Sequence, residues 1–102
     1  MDDLKNALTA TGYQFAHFGW SKAPAGDYGV YAEDGANDMI AGNAHAERAT
    51  ECSVDYFTRD DTGTPKDAIE TALAPFAWYL NSIQFEEDTG YIHYEWVVQI
   101  CG

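Results

Sequence analysis

The chain lacks several features that would announce a function. No run of eighteen apolar residues occurs, and no basic start is followed by an apolar stretch. Neither a membrane span nor a signal peptide is therefore expected, and the chain reads as soluble and intracellular. Cysteine is scarce: Cys52 and Cys101 lie far apart with no CxxC or Cys/His spacing. That pattern argues against a structural zinc site and a secreted disulfide scaffold, so both are expected to be free thiols. Basic residues are few, 5 against 17 acidic ones, for a formal net charge of -12. Neutralising phosphates takes Lys and Arg, and this chain cannot build a sizeable basic face, so tight DNA or RNA binding is not expected. GxGxxG and GxxxxGK are both absent, which removes the usual phosphate cradles.

Candidate chemistry is equally thin. His17, His45 and His93 are the only histidines, and none stands at helical metal-ligand spacing with another His or a carboxylate. Ser53 or Ser82 with a histidine, or Cys52 with His93, would be the nucleophile pairs. None sits in the strand-turn-helix or glycine-flanked context that exposes a nucleophile. No catalytic, cofactor or metal residue is assigned, and no enzyme activity is expected. The triplet Glu86-Glu87-Asp88 lies in a turn segment, where solvated carboxylates are the ordinary expectation.

What the chain does carry is a patterned C-terminal quarter. From Trp78 to Gly102, two runs rich in aromatic and β-branched residues flank the segment Glu86-Glu87-Asp88-Thr89-Gly90, the composition of a long β-hairpin. In the second run Ile92, Tyr94, Trp96, Val98 and Ile100 make a wholly apolar face, and Tyr91, His93, Glu95, Val97 and Gln99 a half-apolar one. That second face needs cover from a helix of the chain or from a neighbouring subunit.

Upstream, Asp2 to Gly12 reads as a short helix with Leu4, Ala7, Leu8 and Thr11 on one face and Gly12 as its C-terminal cap. Tyr13–Trp20 and Tyr28–Glu33 read as strands, 34–38 as a turn, and Met39 and Ile40 as a brief apolar piece. Ala46–Arg59 is the longest expected strand, with Cys52, Val54, Tyr56 and Thr58 facing one way. Thr64 is the expected N-cap of a helix from Pro65 to Leu73, burying Ile69, Ala72 and Leu73 and stopped by Pro75. At 102 residues this is one domain, 1–102, able to bury roughly 60–70% of its unfolded surface. Short connections and non-alternating helices and strands predict an α+β fold: a mostly antiparallel β-sheet with two short helices, ending in the hairpin.

Aromatic residues make up 15% of the chain. A sheet this small packs one face on two short helices, so part of the aromatic set is expected at a subunit interface; Trp20, Tyr31 and Tyr91 are the candidates. The acidic turns supply the other candidates, Glu33 and Asp34 in one and Glu86, Glu87 and Asp88 in the other, as acidic surface placed where a polyanion passes without sticking.

The short N-terminal helix, Tyr28-Gly29-Val30-Tyr31 with the acidic turn after it, and Ala46-Glu47-Arg48 leading into Val54-Asp55-Tyr56-Phe57-Thr58-Arg59 form the first half of a wider pattern. Asp67-Ala68-Ile69-Glu70, Trp78-Tyr79-Leu80-Asn81-Ser82 and Glu86 through Trp96 complete it. Spread over about Leu4 to Val98, this pattern resembles small tail proteins of long-tailed bacteriophages and prophages, the tail-terminator or tail-completion group. The resemblance implies a compact α+β subunit assembling with itself into a ring, commonly a hexamer, between tail tube protein and head-tail connector proteins. It implies a location in the tail or neck of the virion, reached from the host cytoplasm, with no membrane and no cofactor. The work it implies is geometric, namely stopping tube growth and offering the head a docking surface while genomic DNA slides through without specific binding. Three other readings stand beside it. One is a head-completion or head-tail adaptor protein of the same neck, or a tube-related subunit. The second is a small dimeric α+β barrel enzyme using His17 or His93, and the third an acidic DNA mimic, disfavoured because the acids are interleaved with Tyr, Phe and Ala.

Overall fold

Leu4 and Leu8, one helical turn apart, set the first contact of the fold: both are fully buried. In the computed structural model, which describes residues 2–22, 24–36 and 49–101, they belong to α1 (Asp2–Ala10). Strands β1 (Phe15–His17), β2 (Tyr28–Ala36) and β3 (Ala49–Thr58) follow, then α2 (Thr64–Leu73), β4 (Ala77–Phe85) and β5 (Ile92–Cys101). The strands form one sheet in the order β1-β2-β3-β5-β4. All pairings are antiparallel except β1 with β2. The α+β fold with its C-terminal hairpin is thus the observed one.

The period-two pattern explains which face is the core. Cys52, Val54 and Tyr56 on β3 stand opposite Val98, Trp96 and Tyr94 on β5, and these six form one cluster with Leu4, Leu8, Ile69 and Leu73. Both helices therefore lie on the same side of the sheet. Trp96 is the largest fully buried side chain, and its indole Nε1–H donates to Glu70 Oε2 at 3.0 Å. Glu70 also accepts from Lys66 at 3.2 Å, so the polar edge of the buried ring is satisfied as burial requires. Thr58, a fully buried polar residue, donates to Asp27 Oδ2 at 2.6 Å and accepts from the Asp60 N–H.

Several expectations are corrected. The first strand is three residues long rather than eight, because Phe18 takes a positive φ of 69° and Gly19 one of 137°, which turns the chain out of the sheet. It pairs in parallel with β2, since residues 18–27 carry the chain back before β2 begins. Asp34, Gly35 and Ala36 continue β2 rather than turning; the ladder absorbs one residue between Glu33 and Gly35. Gly63, at φ 87°, caps α2 in place of Thr64, and no side-chain cap forms. Pro65 stands in the first turn as expected, and Ile69 and Leu73 are buried while Ala72 is only half-buried. The rest of the expected turn, Asn37 and Asp38, the brief apolar piece at Met39 and Ile40, His45 and Ala46–Arg48 lie outside the described residues. The two cysteine-bearing strands are neighbours, but Cys101 is registered with Ala49 and Cys52 with Val98. Cys52 is a buried thiol.

Gly29 is the tightest point of the β1–β2 pair, because a Cβ there would overlap the Phe15 ring, which lies over the glycine. Gly29→Ala is expected to cost about 1–3 kcal/mol through overpacking, and Trp96→Ala about 3–5 kcal/mol through the lost burial and cavity. Urea unfolding of each variant checks both values.

Candidate functional site

The helix-free side of the sheet carries the most organised set of side chains outside the core. Tyr28 on β2, Phe57 on β3 and His93 on β5 are cross-strand neighbours, and their rings stack: Tyr28 on Phe57 at 4.8 Å and Phe57 on His93 at 4.2 Å. Tyr91 closes the row edge-on to Tyr28 and Phe57. Arg59 lies over the Tyr91 ring at 4.1 Å and donates to the Thr89 carbonyl at 2.9 Å, tying the hairpin loop to the end of β3. Burial, with Tyr91 and Glu86 nearby, pushes the Tyr28 phenol above its ordinary value.

Carboxylates flank this row. Asp55 approaches His93 Nε2 at 3.2 Å, and Glu95 accepts from Asn81 Nδ2 at 3.2 Å and from Ser82 Oγ at 3.4 Å. The hydrogen bond to Asp55 raises the His93 pKa above 6.5 against the opposing effect of burial. Chemically this is a histidine held toward its charged form on a half-apolar, acidic surface. Cys52 faces the opposite side of the sheet from His93, and Ser82 donates to Glu95, so neither forms a nucleophile pair with that histidine.

The acidic candidates fall in two places. Glu33 accepts from His17 Nε2 at 2.6 Å, and this hydrogen bond holds its carboxyl below the usual range. Asp34 is placed by its backbone, beside the β2 bulge. Glu86, Glu87 and Asp88 form the hairpin loop, closed by Glu86 N–H to Tyr91 O and Gly90 N–H to Glu86 O, both 2.8 Å. Glu87 and Asp88 are exposed, whereas Glu86 is half-buried and accepts from Thr89. Glu33 is registered with Cys52 and the loop begins past Thr58, six positions along β3, or about 20 Å at the strand rise. The fold makes two acidic patches rather than one.

The aromatic candidates are mostly covered by their own chain. Tyr31 is 7% exposed and Tyr91 8%; Tyr31 packs in the core, and Tyr91 sends its hydroxyl to the Gly26 carbonyl at 2.7 Å. Trp20 is half-buried, its Nε1–H on the Gly29 carbonyl at 2.9 Å. Little of these three rings is left for a neighbour. The exposed apolar side chains are others: Phe18 at 69%, Tyr79 and Ile83 at 53%, and Phe85 at 65%. Three of them lie on β4, an edge strand. A slip of one residue at Asn81 brings Ile83 opposite Tyr94 and Phe85 opposite Ile92, so Trp78, Leu80, Ile83 and Phe85 share the helix-side face. The signal for this was present in the chain, since the apolar alternation of β4 changes phase between Leu80 and Ile83.

Grooves among the described residues lie beside the helices and at a strand end. One, of about 360 Å³, lies between α1 and α2 and is lined by Ala7, Ala10, Thr11, Ala68, Thr71 and Ala72. The other, of about 290 Å³, is bounded by Asp3, Phe76 and Ile100 among others. Among the described residues, no cluster of three or more His, Cys, Asp and Glu could hold a metal ion, and no helix is long and apolar enough to cross a membrane. No protein-family model matches the chain, and no curated protein does.

Because the folded-state pKa of His93 is raised, its contribution to stability is fully present below about pH 6.5 and fades as pH climbs through the raised value. An NMR titration is expected to show the His93 midpoint above 6.5 in the native protein. Asp55→Asn should lower that midpoint and flatten the loss of stability across the same pH window.

Proposed function

We propose that the protein is a structural subunit of phage assembly, a ring-forming tail terminator at the head-proximal end of a tail tube. The observation that carries this reading is the placement of both helices on one face of the sheet. Among the described residues, the opposite face receives no helix, although it holds Tyr28 and Phe57 on one side of the Asp55–Glu95 pair and Val97 on the other. A mixed apolar and acidic sheet face of this kind suits cover by another subunit, which is what a ring supplies. The pattern over Leu4 to Val98 that resembles tail-terminator proteins supports the same reading. In this role the chain is not an enzyme. It meets copies of itself, the tail tube protein and connector proteins in the tail or neck of the virion.

The charge has a place in the same account. A ring whose channel carries the exposed Glu87 and Asp88 would repel DNA phosphates and let the genome pass without sticking. A head-completion or adaptor subunit of the same neck would use the same surfaces. A different class, a small dimeric barrel enzyme, draws on one specific observation: two helix-free faces brought together would enclose the His93–Asp55 pair beside Phe57.

Deleting the gene from its phage separates these roles by electron microscopy of the lysate. Tails of abnormal length are the expected result for a terminator, and normal tails unjoined to heads would instead indicate an adaptor. Normal virions would contradict both.

A further inference from the structure

An edge strand exposes a row of unpaired backbone groups, and proteins ordinarily blunt such edges with charges, proline or shortness. β4 has little of this protection. It is nine residues long, Ala-Trp-Tyr-Leu-Asn-Ser-Ile-Gln-Phe, with no Asp, Glu, Lys, Arg, His or Pro. Its only irregularity is the slip at Asn81. By contrast β2, β3 and β5 each carry acids. In a chain of net charge -12, a charge-free strand is where a second, equally acidic copy can approach against the least repulsion.

The strand is also its own complement. Its helix-side residues are Trp78, Leu80, Ile83 and Phe85, and its opposite face presents Tyr79, Ser82 and Gln84. When two β4 edges pair antiparallel about a two-fold axis normal to the sheet, faces are preserved. One register then matches every position from Trp78 to Phe85: Trp78 meets the second copy's Phe85, Leu80 its Ile83, and Tyr79 its Gln84. This register sets Asn81 against Ser82, so the two slips coincide. Registers displaced by one residue put helix-side groups against open-face groups. The pairing would cover the exposed Ile83 and Phe85 with apolar cross-strand partners.

We infer that two copies of the chain associate through β4, joining their five-stranded sheets into one ten-stranded sheet in this register. The contact is isologous and closes at two copies, whereas a ring needs a head-to-tail contact. It is therefore a property of the free protein, independent of the tail-terminator reading.

The test is sedimentation of the purified full chain together with cysteine pairing. The native protein is expected to run at twice its 11.3 kDa mass, and Ile83→Lys or Phe85→Lys should raise the dimer dissociation constant at least about tenfold. Both side chains are exposed, so the folded monomer is expected to keep its circular dichroism. Opposed β-carbons in an antiparallel pair lie about 4.5–5.5 Å apart, close to disulfide reach. The double variant Tyr79→Cys/Gln84→Cys should form a disulfide-linked dimer under mild oxidation, and neither single variant should. Within one chain these positions are about 17 Å apart along the strand and cannot join. A monomer at every concentration would overturn the inference. So would a dimer or larger assembly that ignores the lysine substitutions and leaves the double variant unlinked. A linked dimer from a phage whose deletion gives normal virions would keep this pairing and discard the terminator role.

Discussion

Both helices pack on one side of a single sheet, and the rest of the molecule is arranged around that asymmetry. On the covered side, Leu4, Leu8, Ile69 and Leu73 bury Tyr56, Trp96 and Val98 and leave polar groups only where they are paired, as at Trp96 and Glu70. Ten registered residue pairs between β3 and β5 carry this core. On the other side the same two strands offer stacked rings and carboxylates in place of a second apolar layer. Among the described residues, no helix or strand forms a third layer over that face.

The edges of the sheet differ as much as its faces. At one edge the three-residue β1 is cut short by Phe18 and Gly19, and acids stand beside it at Glu33 and Asp34. At the other, β4 is long and uncharged and turns apolar groups outward. A strongly acidic chain disperses itself by repulsion over most of its surface. Association is thereby directed to the places where charge is missing, and among the described strands of nine or more residues β4 is the one without a charged side chain.

Much of this was legible in the chain itself. Strict alternation at Cys52, Val54, Tyr56 and Thr58, and again from Ile92 to Ile100, marked the two central strands and their buried faces, because a pleat admits only one assignment once one side is apolar. Leu4 with Leu8 and Ile69 with Leu73 marked the helices by the same logic at a different period. What escaped depends on information that spacing does not hold. A positive φ at Phe18, a non-glycine residue, ends β1 early, and the parallel pairing follows from the path of residues 18–27. Gly63 rather than Thr64 caps α2, because a left-handed residue can take that position without a side-chain cap. Aromatic content suggested Tyr31 and Tyr91 as surface contacts, but ring identity does not reveal which loop or arginine will lie over it. The exposed pair Ile83 and Phe85 was written in the phase change of β4 and becomes visible once the slip at Asn81 is known.

The helix-free face of β2, β3 and β5 is, on this account, built to be covered by another molecule, and that is its central claim. Electron cryomicroscopy of the proposed tail-end assembly, reconstituted with this protein, tests it directly. The predicted result is a neighbouring subunit seated over Phe57, Asp55 and His93, with the helices turned away from that contact. A map in which this face is open to solvent while α1 and α2 make the intersubunit contacts would contradict it.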